Sequence, residues 1–392
     1  MITVIADDLT GAAEIAGVCL RYGLKVAFGL DSVPEELADV MVIATDSRSG
    51  TIDGAYRIHR LMATKALTAD NTLVFKKVDS VLRGYVVQEL KALMTVSGKS
   101  KVLLQPSNPV AGRCIREGKY FVEETLLENT GFSSDPDFPA DTSDITDLLN
   151  QRALVGEKIN QYPIITGRVV DFREKAFYVP DCNSVEELGL PLVNWDPDVL
   201  LAGSAAFFEQ VLLKITGATK ANNNPKINIS SAFLIVCGTA HPQGQRFLER
   251  LKTEAGCPIC YFPSQFLQEK ISEGEFSRWA KSLIPDWKWS NKMAVSVSQS
   301  KVSFPGSSSL LRLRMDEVVA ELVKNCPVQE LLIEGGATAY SVLNYLKWKT
   351  LIPEQELEPG VVRMRVGRKP SLYLTIKPGS YSWPSGIAGI KD

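Results

Sequence analysis

Histidine is nearly missing from this 392-residue chain, which carries only His59 and His241. A structural zinc site needs four ligands, and Cys257-Pro258-Ile259-Cys260 finds no second ligand pair of comparable spacing. These cysteines read instead as residues at a strand entry, and no metal-ligating set is assigned. Net charge is also scarce, at −2 near neutral pH, which excludes the general basic field that a nucleic-acid partner requires. No apolar run approaches a membrane span, and a strand pattern from residue 2 leaves no room for a charged, cleavable leader. The expected location is therefore the cytoplasm, with no membrane partner. Seven cysteines, an odd number spread over a long chain, fit reduced thiols better than a disulfide framework. Neither GxxxxGK[ST] nor a GxGxxG following a strand occurs, so the standard P-loop and the dinucleotide fingerprint are both excluded.

What is present is an α/β enzyme pattern. A hydrophobic content of 45% and a mean hydropathy of zero describe a globular chain, and its length predicts two domains. The polar, turn-prone residues 221–225 set the expected boundary, giving domains 1–221 and 222–392. In the first 115 residues, four apolar strand-like runs each end in a polar loop. Residues 2–6 lead into Asp7-Asp8-Leu9-Thr10-Gly11, and 40–44 into Thr45-Asp46-Ser47-Arg48-Ser49. Residues 72–75 lead toward 77–84, and 102–104 into 105–113. Strands alternating with helical patterns predict a parallel sheet, and in open α/β sheets ligands bind beyond the carboxyl ends of the strands. All four loops are thus expected on one rim.

The third loop is the densest. Lys77, Asp79, Ser80 and Arg83 fall within seven positions, far more charge than a turn needs, and their chemistry is that of an anion site. A second α/β pattern follows residue 230. The run 233–236 ends in Gly238-Thr239-Ala240-His241, 331–333 ends in Glu334-Gly335-Gly336-Ala337-Thr338, and 372–376 ends in Lys377-Pro378-Gly379. Glycines between a strand and a helix let backbone N–H groups approach a phosphate, although such turns also serve tight packing.

Together the Ala6-Asp7-Asp8-Leu9-Thr10-Gly11-Ala12 opening, Thr45-Asp46-Ser47-Arg48, residues 77–84, residues 106–113 with Gly118-Lys119-Tyr120, and Asp135-Pro136-Asp137-Phe138-Pro139 resemble the four-carbon acid sugar kinases. So do Gly335-Gly336-Ala337-Thr338-Ala339, Pro359-Gly360-Val361 and Lys377-Pro378-Gly379. The resemblance implies two α/β domains with an interdomain active site, an N-terminal domain for the sugar acid and a C-terminal domain for ATP. It implies ATP- and Mg²⁺-dependent phosphorylation of the terminal hydroxyl of threonate, erythronate or 3-oxo-tetronate. Self-association is left open.

On this reading Arg48, Lys77 and Arg83 are candidates for the substrate carboxylate, with Arg suited to bidentate pairing. Asp8, Asp46, Asp79 and Ser80 are candidates for its hydroxyls. Asp8 is the first choice for the base and Asp79 the second, while helix capping is the competing role for Asp8. In that case Asp7, also a candidate substrate contact, is expected to be the more exposed of the pair. Arg113 either shapes its loop or faces the incoming phosphate. The resemblance carries nucleotide contacts to Thr239, His241, Gly335, Gly336, Ala337, Thr338 and Gly379, with capping an equal alternative for His241. Because Ala337 and Tyr381-Ser382 depart from the family pattern, a non-catalytic sugar-acid sensor is the alternative. The adjacent Asp7 and Asp8 lack the one-residue spacing of a haloacid-dehalogenase phosphatase.

Overall fold

A parallel strand buried on both faces is a short unbroken apolar run rather than an alternating one, and this chain has many. The computed structural model describes residues 1–67, 73–153, 162–168, 170–221, 229–238, 242–267, 273–297, 307–367, 372–379 and 381–390. It divides into two compact units, Met1–Ala221 and Asn222–Asp392.

The strands of the first unit are β1 (Ile2–Ala6), β2 (Val26–Leu30), β3 (Val40–Ala44), β4 (Leu73–Lys77), β5 (Lys101–Gln105), β6 (Arg113–Arg116), β7 (Lys119–Val122), β8 (Thr125–Leu126), β9 (Ile164–Gly167), β10 (Phe177–Pro180) and β11 (Val199–Gly203). Its helices are α1 (Leu9–Arg21), α2 (Ile52–Ala66), α3 (Val86–Ser97), α4 (Ile145–Gln151) and α5 (Ala205–Thr216). The main sheet runs β2-β3-β1-β4-β11-β5-β10-β9 with parallel pairings. From β1 the chain first crosses to β2 and β3 on one side, then to β4 on the other. The order therefore reverses between β1 and β4, and such a switch point opens a crevice at the strand ends. Ala6 is in register with Ala44 on one side and Lys77 on the other.

The loops after β1, β3 and β4 therefore meet at one rim, as the apolar runs predict. One expectation changes. The third strand extends to Lys77, which ends a buried strand rather than beginning the polar loop. Between β4 and β5 lies β11. Gly203 of β11 permits this close approach: a Cβ there would lie 2.2 Å from the Gln105 carbonyl oxygen. Strands β6, β7 and β8 form a separate antiparallel sheet, which carries residues 113–126 to the β4 loop. The core of this unit combines Ile5, Ile43 and Leu104 from the sheet with Val87, Leu90 and Leu93 of α3, all fully buried.

The second unit contains β12 (Phe233–Cys237), β13 (Ile259–Tyr261), β14 (Lys292–Ser296), β15 (Glu330–Glu334), β16 (Thr350–Glu358), β17 (Val361–Val366) and β18 (Tyr373–Lys377). Its helices are α6 (Pro242–Ala255), α7 (Glu273–Ser282), α8 (Ile284–Ser290), α9 (Ser307–Asn325) and α10 (Gly336–Tyr345). The order is β13-β14-β12-β15-β18-β17-β16, parallel through β18 and antiparallel beyond it. The fold is mixed α/β, as read from the sequence. Cys257 is buried and Cys260 half-buried, both as free thiols, with the latter on β13. No helix among the described residues is long and apolar enough to cross a membrane.

Candidate functional site

The site in the first unit is built from short polar residues immediately following buried strands. Asp8 takes extended backbone angles and accepts the Gly11 N–H at 3.1 Å, so it caps α1. It also accepts the Thr10 hydroxyl and an Arg48 N–H at 3.2 Å. Capping and ligand contact are compatible here, because the Asp8 side chain keeps 16% exposure. A Cβ at Gly11 would fall 2.5 Å from the Asp8 carboxylate and 2.9 Å from Lys77 Nζ, so a larger residue there would displace both side-chain ends.

Asp7 reverses the expectation. It is 1% exposed, and one of its oxygens accepts both Arg48 Nε at 2.9 Å and Nη2 at 2.6 Å. The side chain at the strand end turns inward because the sheet and helix faces close over it, whereas Asp8 stands at the helix start. Asp7 is therefore a brace for Arg48 and the less exposed of the pair.

Arg48 also lies 3.7 Å from Asp79. Burial works against its charge, and Asp7, Asp8 and Asp79 outweigh that cost, holding the guanidinium well above its ordinary proton affinity. Asp79 accepts the Val81 and Arg83 backbone N–H groups and both Nε and Nη2 of Arg83 at 3.0 Å. Burial pushes its carboxyl upward, but Arg83 and Arg48 prevail and hold it well below the usual carboxylate range. The same carboxylate raises Arg83, which reaches Asp135 at 3.5 Å and lies over the Phe132 ring.

Arg113 is differently placed. It donates to the Ser80 hydroxyl and lies 5.8 Å from the centre of the Phe132 ring; among the described residues no carboxylate stands within ion-pair distance of it, although its charge adds to those that hold the Asp79 carboxyl down. Tyr120 donates to the Ser80 carbonyl from the floor. Lys77 is 3% exposed, with its ammonium 3.5 Å from Glu14 and donating to the Val78 carbonyl. Asp46 stands apart at the start of its own turn, accepting the Ser49 hydroxyl at 2.9 Å. Gly84 adopts φ +99°, and a Cβ there would lie 3.3 Å from Asp7, so the β4 loop passes close to that carboxylate only as glycine.

Sequence reasoning missed a buried layer beneath this rim. Lys76, Glu89 and His59 are all fully buried. Lys76 lies 3.0 Å from Glu89, whose other oxygen accepts the Ser47 hydroxyl at 2.6 Å. A lysine inside an otherwise apolar strand was the available signal. His59 donates through Nδ1 to the Ala55 carbonyl at 3.0 Å if the ring is neutral in that tautomer, and burial lowers its pKa from 6.5 to about 4. Because the folded value lies below the unfolded one, the unfolded chain takes the proton first. The contribution is fully present above pH 6.5 and is lost as pH falls toward 4, reaching about 3 kcal/mol. In denaturant unfolding between pH 7 and 4, the wild type should lose about that much more stability than His59→Gln. Parallel losses in the two proteins would refute a buried neutral ring.

In the second unit, β12, β15 and β18 are neighbours, with Cys237 in register with Glu334 and Glu334 with Lys377. Gly238, Gly335, Gly336, Thr338 and Gly379 consequently gather at one rim. Gly335 takes φ +101°, and its N–H donates to the Lys377 carbonyl at 2.9 Å. Thr338 is buried against Gly238, where a Cβ would fall 1.9 Å from its hydroxyl. Ala337 lies in the first turn of α10, where the polar group it offers is its backbone N–H. Glu334 and Lys377, both 1% exposed, pair at 3.2 Å, and Lys377 also donates to the Pro378 and Tyr381 carbonyls. Lys377 thereby fixes the loop that carries Gly379. Burial raises Glu334 and lowers Lys377. Thr239 and His241 lie outside the described residues.

Comparison with known proteins bears out the resemblance read from the sequence. Residues 2–167 match the family model of the sugar-binding N-terminal domain. The chain is 34% identical over 149 residues to a D-threonate kinase of Salmonella typhimurium, covering 37% of this chain and 35% of that enzyme. It is 32% identical over 154 residues to a D-erythronate kinase of Heliobacterium modesticaldum, covering 38% and 35%. A 3-oxo-tetronate kinase of Haemophilus influenzae is 28% identical over 411 residues, 97% of either chain. The chain spans 35–40% of the length of the first three curated relatives it matches. A solved Salmonella typhimurium structure shares the fold with a TM-score of 0.73 at 19% identity, covering 97% of this chain and 96% of that one.

Proposed function

We propose that this protein is a kinase that uses ATP and Mg²⁺ to phosphorylate the terminal hydroxyl of a four-carbon sugar acid: threonate, erythronate or 3-oxo-tetronate. In this reading the N-terminal unit (1–221) takes the acid and the C-terminal unit (222–392) takes the nucleotide. One observation carries it. At the β1/β4 switch point, Asp8, Arg48, Asp79, Ser80 and Arg113 are linked contact by contact, and Arg113 is the cation whose partners are a hydroxyl and a ring rather than a carboxylate. Bringing in a substrate carboxylate there adds an ion pair without breaking one.

The other residues follow from their surroundings. Asp8 accepts the proton of the attacking hydroxyl, or orients it, because it is the partly exposed carboxylate of the pair. Asp79 is the weaker candidate for a base, since Arg83, Arg48 and Arg113 depress its proton affinity and four N–H donors already occupy it. It shapes the floor with Arg83, while Ser80 meets a substrate hydroxyl; Asp46 stands apart from this cluster and is given no substrate contact. Arg48 and Lys77 supply positive potential where charge builds up on the transferred group.

On the nucleotide side the backbone N–H groups of Gly335, Gly336 and Ala337, the Thr338 hydroxyl and the Gly379 turn would receive phosphate oxygens, and the family resemblance extends nucleotide contact to Thr239 and His241. Among the described residues no group of three or more His, Cys, Asp or Glu side chains is placed to hold a metal. In this reading the Mg²⁺ would travel with the nucleotide, whose phosphates supply most of its oxygen ligands.

The test is direct. Purified full chain is incubated with ATP, Mg²⁺ and D-threonate, D-erythronate, L-threonate or 3-oxo-tetronate. Phosphorylation of at least one acid is expected. If the folded protein turns over none of them, yet its melting temperature responds to an acid and not to ATP·Mg²⁺, the sensor reading replaces this one.

A further inference from the structure

A lysine and a glutamate removed entirely from water are a poor source of stability, because their desolvation offsets their attraction and an apolar pair of the same volume often does as well. Lys76 and Glu89 are such a pair, each 0% exposed and 3.0 Å apart. Their position suggests a different role. The Lys76 ammonium donates to the Lys77 carbonyl at 2.6 Å and lies 3.9 Å from Asp7 Oδ1. That oxygen is buried without a hydrogen-bond partner among the described residues, while Oδ2 receives both Arg48 bonds. Asp7 therefore has Arg48 on one side and the Lys76 charge on the other.

Glu89 couples the two sides. Through one oxygen it accepts from Ser47, the residue before Arg48, whose turn also places the Arg48 N–H 3.4 Å from the Asp7 carbonyl. Through the other it faces Lys76 and, at 4.0 Å, His59 Nε2. One buried carboxylate in the first turn of α3 thus touches the ends of β3 and β4 and, through Lys76, the loop after β1.

We infer that Lys76 and Glu89 are positioning residues for Asp7 and Arg48, setting how firmly Arg48 is held at the acid site. The inference rests on the kinase reading for its functional consequence, but its structural part does not. With Glu89 neutral, the Lys76 charge is balanced by Asp7 alone. Asp7 then shifts toward it, and the hold on Arg48 slackens.

The experiment uses the full chain as wild type, Glu89→Gln, and the double variant Lys76→Met/Glu89→Gln. Lys76→Met alone strands the buried Glu89 carboxylate and is expected to unfold, so the double variant, which removes both charges together, supplies the folded comparison. The Arg48 Nε–H resonance, observed with ¹⁵N-arginine labelling, should shift or broaden in both variants. The turnover number should fall about tenfold and the KM for the acid rise, with the KM for ATP unchanged. In the double variant the melting temperature should return toward wild type while turnover stays low. An unaltered Arg48 resonance in folded Glu89→Gln overturns the inference. So does recovery of turnover together with melting temperature in the double variant, which would make the pair merely structural. If the wild type phosphorylates no four-carbon acid, the kinase reading fails, and the resonance still decides whether Lys76 and Glu89 position Arg48.

Discussion

Replacing Asp8 by Asn should lower turnover of the acid about a thousandfold while leaving the fold almost as stable as before. The two effects separate because the observed role of Asp8 as a cap and its proposed role as the base have different chemical needs. As the cap of α1 it accepts the Gly11 N–H, and an amide oxygen accepts equally well, since Asn and Asp rank together as helix caps. As the group that takes or orients the hydroxyl proton it needs a carboxylate, and general-base contributions run from about a hundredfold to ten-thousandfold. Asp8→Ala is the useful contrast, because it loses both roles and should cost about 1 kcal/mol of stability as well. Steady-state kinetics with denaturant unfolding on the same samples measures both. Turnover of Asp8→Asn within a few-fold of wild type would remove Asp8 as the base, and Asp79 would be tried next.

Arg113→Met should raise the KM for the acid about a hundredfold with little change in the KM for ATP. Methionine keeps an unbranched chain that can lie against Phe132 and Tyr120, so the variant removes chiefly the charge and its hydrogen bonds. A hundredfold corresponds to about 3 kcal/mol, within the range for losing a charge-assisted hydrogen bond from a partly buried site. Arg83 provides the comparison. Its guanidinium is already bonded to Asp79 through Nε and Nη2, so Arg83→Met strands a buried carboxylate and should lower the melting temperature first. If Arg113→Met binds acid normally and Arg83→Met does not while remaining folded, the carboxylate belongs with Arg83.

That distinction marks where sequence reading ran out. Arg48, Lys77, Arg83 and Arg113 carry the same kind of charge at three strand ends, and counting them points to an anion site without saying which charge is already paired. Arg83 follows Asp79 by four residues, within reach of a local pair. Arg48 and Asp7 are 41 positions apart and meet only because β1 and β3 are neighbours. The reversal of Asp7 and Asp8 has the same origin: adjacent residues at a strand end point to opposite sides, and which side is covered depends on what packs there.

The strands, the helix starts and the polar loops were legible because each rests on local chemistry. Apolar runs seek burial on both faces, Asp8 and Ser204 cap the helices that follow, and glycine permits a positive φ at residues 84 and 335. The insertion of β11 beside β4, the layer of Lys76, Glu89 and His59, and the Glu334–Lys377 pair were not legible, because they join segments far apart in the chain. The sequence by itself determined that anion-attracting groups are concentrated at strand ends, since residue type alone sets which groups attract anions. Tertiary structure alone decided which of those groups already have partners, since a buried charge is paired by whatever strand order brings within a few ångströms.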